Sequence, residues 1–133
     1  MVGQPKLTRM TKRVLDVGNC VPDHATIRRF LERNFDVQVE QAHDAAGALA
    51  AVHADPVDLV LVNRKLDQDS SDGLDVIRQL KADPRAGQIP VMLITNYAEY
   101  QDQAVAAGAV RGFGKLDLQK PGTAAQLRPL LGE

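Results

Sequence analysis

Few side chains in this 133-residue chain are of the types that perform covalent or metal chemistry, and their spacing restricts them further. Cys20 is the only cysteine, so no intrachain disulfide can form. A lone thiol there reads as a small packing residue, with a redox sensor as the alternative. His24, His43 and His53 are separated and show no ligand spacing, so none is assigned phosphotransfer. Asp67, Asp69 and Asp72 follow a D-x-D-x-x-D pattern that resembles a cation site but lacks the glycine and terminal glutamate of a calcium loop. The pattern is read as a solvated acidic loop, with Asp72 as the N-cap of the helix that follows. The positions that invite chemistry are those ending apolar runs: Gly18-Asn19, Asn63, Thr95 and Lys115.

Those runs alternate with helical patterns. Val14 to Val17 reads as a first strand, Pro22-Asp23 as a helix start, and Ile27, Phe30 and Leu31 as its buried face. Val37 to Val39 is a short second strand, followed by a helix capped by Asp44. Val57 to Val62 is the strongest strand, apolar almost throughout, as suits a strand covered on both faces. A helix with Leu74, Ile77 and Leu80 stops at Asp83-Pro84. Ile89 to Thr95 is a fourth strand, Tyr97 to Ala107 an alanine-rich helix ended by Gly108, and Val110 to Phe113 a weak fifth strand. Thr123 with Gln126 fits a capping box for a last helix, expected short or kinked at Pro129. This order, strand then helix five times, implies a parallel sheet with helices on both faces and ligands at the carboxyl ends of its strands.

Composition narrows the function classes. Hydrophobic residues make up 44% of the chain, and 16 basic against 17 acidic residues leave a formal charge of −1. A nucleic-acid binder would normally concentrate a basic face. The single basic cluster, Lys6 to Arg13, is read as a solvated lead-in, so neither nucleic acid nor membrane is expected as a partner. No apolar run approaches the roughly 18 residues of a membrane span, and the cytoplasm is the expected location. Residues 1–11 are taken as the lead-in and 12–131 as one domain.

In order and spacing, VLDV, PDHATIRRFLE, PVDLVLVN, DGLDVIRQLKADP, IPVMLIT, AAGA and Lys115 resemble the receiver domain of two-component response regulators. The resemblance covers about residues 12 to 131. It implies a flavodoxin-like (βα)5 fold with a doubly wound, five-stranded parallel sheet in the order 2-1-3-4-5. It also implies a site in which two acids after the first strand and an aspartate after the third hold Mg²⁺. That aspartate attacks a phosphoryl donor, and a Thr or Ser and a Lys read the phosphoryl group. Mg²⁺ demands hard oxygen ligands, and the nucleophile must be an anionic oxygen.

Against this pattern the chain departs at its centre. Asn63 stands at the phosphoacceptor position, and Gly18 and Asn19 at the acid pair; a register one residue later gives Asn19 and Cys20, with no acid either. Thr95 and Lys115 are retained, Lys115 lying seven residues after Gly108. Leu116 replaces the usual proline, and Gly112 replaces the aromatic that swings inward on activation. The loop from Asn63 to Gly73 is about two residues longer than the family norm, and the stretch from Thr95 to Gly108 about two shorter. Lys115 is expected to turn outward or find a substitute carboxylate, Asp16 being the natural candidate unless strand alternation directs it elsewhere.

The expected function is a receiver that is not phosphorylated, needs no metal or cofactor, and is no enzyme. It would bind a kinase, an output protein or a second copy through the fourth helix, fifth strand and fifth helix. Two alternatives stay open: a sensor holding an anion or small ligand in the emptied pocket, and a phosphoacceptor using a displaced acid, Asp16 or Asp67.

Overall fold

The computed structural model describes residues 11–132; most of the basic cluster and of the lead-in therefore lies outside the described residues. Strands β1 (Lys12–Val17), β2 (Val37–Ala42), β3 (Leu59–Asn63) and β4 (Val91–Ile94) alternate with helices α1 (Val21–Asn34), α2 (Ala45–Ala54), α3 (Gly73–Ala82), α4 (Ala98–Ala106) and α5 (Pro121–Leu131). The four strands are all parallel, in the order β2-β1-β3-β4. This is the parallel architecture expected from the alternation of strands and helices and, over the first four strands, the order the resemblance implies.

The fifth position in the sheet is filled incompletely. Residues 110–113 run beside β4 through a single bridge, Ile94 to Phe113. Two backbone bonds accompany it, from Val110 N–H to the Val91 carbonyl and from Thr95 N–H to the Phe113 carbonyl, at 2.8 and 3.0 Å. The expected fifth strand is thus reduced to a bridged segment. Gly112 explains much of this, because glycine weakens a strand interior.

Alternation along each strand divides the core into two layers. Leu15, Val17, Val60, Val62 and Leu93 pack with α2, α3 and α4 through Ala48, Val52, Leu74, Ile77, Leu80 and Ala104. Val14, Leu59, Leu61 and Met92 pack on the other face with α1 and α5 through Ile27, Phe30, Leu31, Leu127 and Leu131. Both acidic N-caps form as their residue types suggest. Asp44 accepts from Gly47 N–H at 2.7 Å, and Asp72 from Leu74 N–H at 2.9 Å.

The Thr123–Gln126 capping box does not form. Helix α5 begins at Pro121, and the Thr123 hydroxyl donates to the Asp117 carbonyl at 2.6 Å. Gln126 instead donates to the Arg111 and Gly112 carbonyls, at 2.8 and 2.9 Å. Carbonyls left open by the incomplete fifth strand outcompete the local motif. The helix continues past Pro129 to Leu131.

Candidate functional site

At the carboxyl rim of the sheet, Asn63 ends β3 and Thr95 directly follows β4, while Lys115 opens a short 3-10 turn, Lys115–Asp117. The three expected residues converge on one cavity of about 310 Å³, whose lining also includes Arg64, Lys65 and Tyr97. No carboxylate lines it. Among the described residues, no group of three or more His, Cys, Asp or Glu side chains could hold a metal ion.

Asn63 acts here as a donor. Its amide nitrogen bonds the Lys65 carbonyl at 2.6 Å and the Gly18 carbonyl at 3.3 Å. A carboxylate at this position would present only acceptors to those carbonyls and would need a cation to bridge them; the amide closes the gap between the β3 and β1 loops by itself. Gly18 is fitted to this arrangement. Its φ of +83° favours glycine, and a Cβ added there would collide with the side chain of Leu66. Leu66 is buried at the head of the lengthened β3–α3 loop, where Asp67 N–H also bonds the Gly18 carbonyl at 2.8 Å. The Asp67 and Asp69 side chains lie exposed.

Lys115 pairs with Asp23 of α1, Nζ to Oδ2, at 2.7 Å. The lysine holds the Asp23 carboxyl below its ordinary range. Asp16 is therefore not the direct partner of Lys115. It is fully buried on the α1 face of β1, where it accepts from the Asn19 amide at 2.5 Å and contacts His24 Nδ1 at 2.7 Å. Burial raises the Asp16 pKa, opposed by the hydrogen bonds from His24 and Asn19. Asn19 is itself buried, and its Oδ1 has no hydrogen-bond partner. Neither Asp16 nor Asp67 lines the cavity that holds Thr95 and Lys115.

A further feature is Gln101, a buried polar residue of the alanine-rich helix α4. Its amide nitrogen donates to the Leu93 and Thr95 carbonyls at 2.9 and 3.1 Å, and its oxygen accepts from Gly112 N–H at 2.8 Å. The side chain thus ties α4, the end of β4 and the bridged fifth segment together. Gly112 fits closely against β4: a Cβ there would fall well inside contact distance of the Leu93 carbonyl oxygen. No sequence signal marks this role, because an interior polar residue on a short helix is legible only once its neighbours are known.

The profile of the response regulator receiver domain family matches residues 20–130. Among solved structures, the chain is similar to the signal receiver domain of a DNA-binding response regulator from Colwellia psychrerythraea 34H. The two are 21% identical, with a TM-score of 0.75 over 92% of this chain and 99% of that one. It is also similar to the chemotaxis response regulator CheY4 of Vibrio cholerae, at 20% identity, with a TM-score of 0.66 over 91% and 96%. A third is the receiver domain of a sensor histidine kinase from Pseudomonas aeruginosa PAO1, solved with magnesium in its active-site cleft. It is 20% identical, with a TM-score of 0.68 over 92% and 99%. The matched profile spans most of the chain, and the parallel sheet in its 2-1-3-4 order agrees with it: this chain belongs to the response regulator receiver domain family of two-component signalling.

Proposed function

We propose that this receiver domain is not phosphorylated and works as a protein-interaction module in two-component signalling. The observation that carries the reading is the hydrogen bonding of Asn63, whose amide bridges Gly18 and Lys65 where phosphotransfer chemistry would require an anionic oxygen. The retained Thr95 and Lys115 lack an acid between them. Lys115 is taken up by Asp23, and Gln101 fastens Gly112 in the segment where the family's moving aromatic would sit. With magnesium's ligands replaced by an amide pair and a glycine, no anionic oxygen lines the cavity to hold the ion that the Pseudomonas domain carries, and the nearby Asp23 carboxylate is engaged by Lys115.

The docking surface is assigned to α4, the bridged segment 110–113 and α5. Val105 and Val110 are exposed there at 43% and 42%. Arg111 is also exposed, bonded to Asp102 of α4 at 2.9 Å. Arginine recurs among binding anchors, and the two exposed valines beside it supply apolar area whose removal from water favours association. The partner is a signalling protein, either a kinase, an output protein or a second copy of this domain.

The test is a binding measurement with the cognate partner under two treatments. Val110→Asp should weaken binding at least tenfold, about 1.4 kcal/mol, whereas prior treatment with an acyl phosphate and Mg²⁺ should leave affinity unchanged. Affinity that rises or falls with the phosphodonor would refute the reading.

A further inference from the structure

We infer that the open edge of β2 is a self-recognition site, through which two copies of this chain pair antiparallel about a two-fold axis at Val39 and join their sheets into one. This edge lies across the sheet from segment 110–113. The inference therefore stands or falls independently of the docking surface proposed above.

The two edges of the sheet are finished differently. Beyond β4, segment 110–113 covers the strand, and Gln126 donates to the Arg111 and Gly112 carbonyls. The β2 edge has no such closure among the described residues. Lys12 N–H donates to the Asp36 carbonyl and Gly18 N–H to the Ala42 carbonyl, both at 2.9 Å. With the β1–β2 register, this turns the backbone groups of Gln38, Glu40 and Ala42 toward β1. Those of Val37, Val39 and Gln41 point outward, and among the described residues they meet no hydrogen-bond partner. The strand, Val37–Ala42, contains neither a lysine nor a proline, the residues that commonly blunt an exposed edge.

A second β2 fits this edge in one register. Setting Val39 against Val39 of the second copy sets Val37 against its Gln41 and Gln41 against its Val37, so every outward N–H and C=O is met. The intervening positions then bring Gln38 opposite the second copy's Glu40 on the α2 face, and Glu40 opposite its Gln38. Side chains opposed at such positions have Cβ atoms about 5 Å apart. Glu40 is already oriented by an ion pair with Arg13, which also donates to Gln38 Oε1 at 3.2 Å. The Gln38 amide gives one hydrogen to its own Glu40 at 3.3 Å and keeps the other for the second copy's. The next hydrogen-bonding register on one side opposes Glu40 to Glu40, and on the other Asp36 to Glu40. Both place like charges together and leave outward groups unmet. On the α1 face, Val37 and Val39 pack on the layer of Ile27, Phe30 and Leu31, and Val39 meeting itself extends that apolar surface. Each copy contributes its one open edge, so association closes at two.

The experiment is sedimentation velocity of the intact chain from about 10 µM to about 1 mM, with a dimer Kd of about 100 µM expected. Amide exchange at Val37, Val39 and Gln41 should slow as concentration rises. A mixed-label sample should show an Hα–Hα NOE between Gln38 of one copy and Glu40 of the other. Val39→Pro removes the central outward N–H, a change that an edge strand accommodates, and should weaken pairing at least tenfold. Gln38→Glu offers Arg13 a second carboxylate within the monomer but faces Glu40 across the axis; it should weaken pairing about fivefold, and Gln38→Lys should tighten it about threefold. The urea midpoint of each variant checks its fold, and the opposite signs at Gln38 keep the test decisive if Val39→Pro unfolds.

A chain that stays monomeric to about 1 mM would overturn the inference. So would pairing unmoved by Gln38→Glu and Gln38→Lys, or edge protection independent of concentration, which would mean an occupant from within the same chain. Pairing lost with Val110→Asp but kept with both β2 substitutions would also overturn it, and would place the contact on the α4 side instead.

Discussion

Asp16 of β1 and His24 of α1 share a 2.7 Å hydrogen bond, Oδ2 to Nδ1, in the sheet's α1 layer, where Asp16 has no solvent exposure. The pair fastens the first helix to the first strand beside the candidate site, and Asn19 completes it from the connecting loop. Because burial lifts the Asp16 pKa, the native state retains this proton after the unfolded chain has released it. Stability should therefore fall as pH rises from about 4 through the native Asp16 pKa. Asp16→Asn should flatten that slope and stabilise the domain near neutral pH by about 1 kcal/mol, because a neutral amide still meets both partners. Asp16→Ala should destabilise it by about 2 kcal/mol by stranding them. Urea denaturation across this pH range checks both.

Asp23 titrates with the opposite sign. Its carboxyl is held low chiefly by the hydrogen bond from Lys115, so its contribution is present above the unfolded pKa and disappears as pH falls through the folded one. Asp23→Asn should reduce the acid-side loss of stability and leave the Asp16 slope intact. The same denaturation series reads both effects.

Gln101→Leu should cost about 2–3 kcal/mol, since it strands Gly112 N–H and withdraws a donor from the Leu93 and Thr95 carbonyls. Amide hydrogen exchange should rise locally in residues 93–95 and 110–113. Exchange left unchanged there would show that Gln101 is not what holds the fifth segment.

Restoring the family's side chains one at a time should fail. Gly112→Tyr places a side chain against the Leu93 carbonyl, and Gly18→Asp demands φ of +83° beside Leu66. Each should destabilise the fold by about 2 kcal/mol or more, measured as a lowered denaturation midpoint.

The fold could be read from the chain because its information is local. The apolar runs around Leu15, Leu61 and Leu93, and the caps Asp44 and Asp72, declare strands and helices whatever lies around them. Asn63, Thr95 and Lys115 could be placed together because parallel strands put their carboxyl ends on one rim. What escaped the reading depends on partners distant in sequence. Asp23 lies 92 residues from Lys115 and, beside Pro22, looked like a helix start. Gln101 sits in an unremarkable alanine-rich stretch, and Gln126 left its local capping motif for carbonyls on another element. Asp16 interrupts an apolar strand, and its neighbour across the turn, His24, has no signal of its own.

Intact-mass measurement after incubation with acetyl phosphate and Mg²⁺ tests most directly whether the Asn63-centred rim lacks phosphoryl-transfer chemistry. The mass should stay that of the unmodified chain, for wild type and for Asn63→Asp alike, because a single restored carboxylate does not rebuild a magnesium site. A stable gain of about 80 Da on the wild-type protein, mapped to an aspartate, would contradict it.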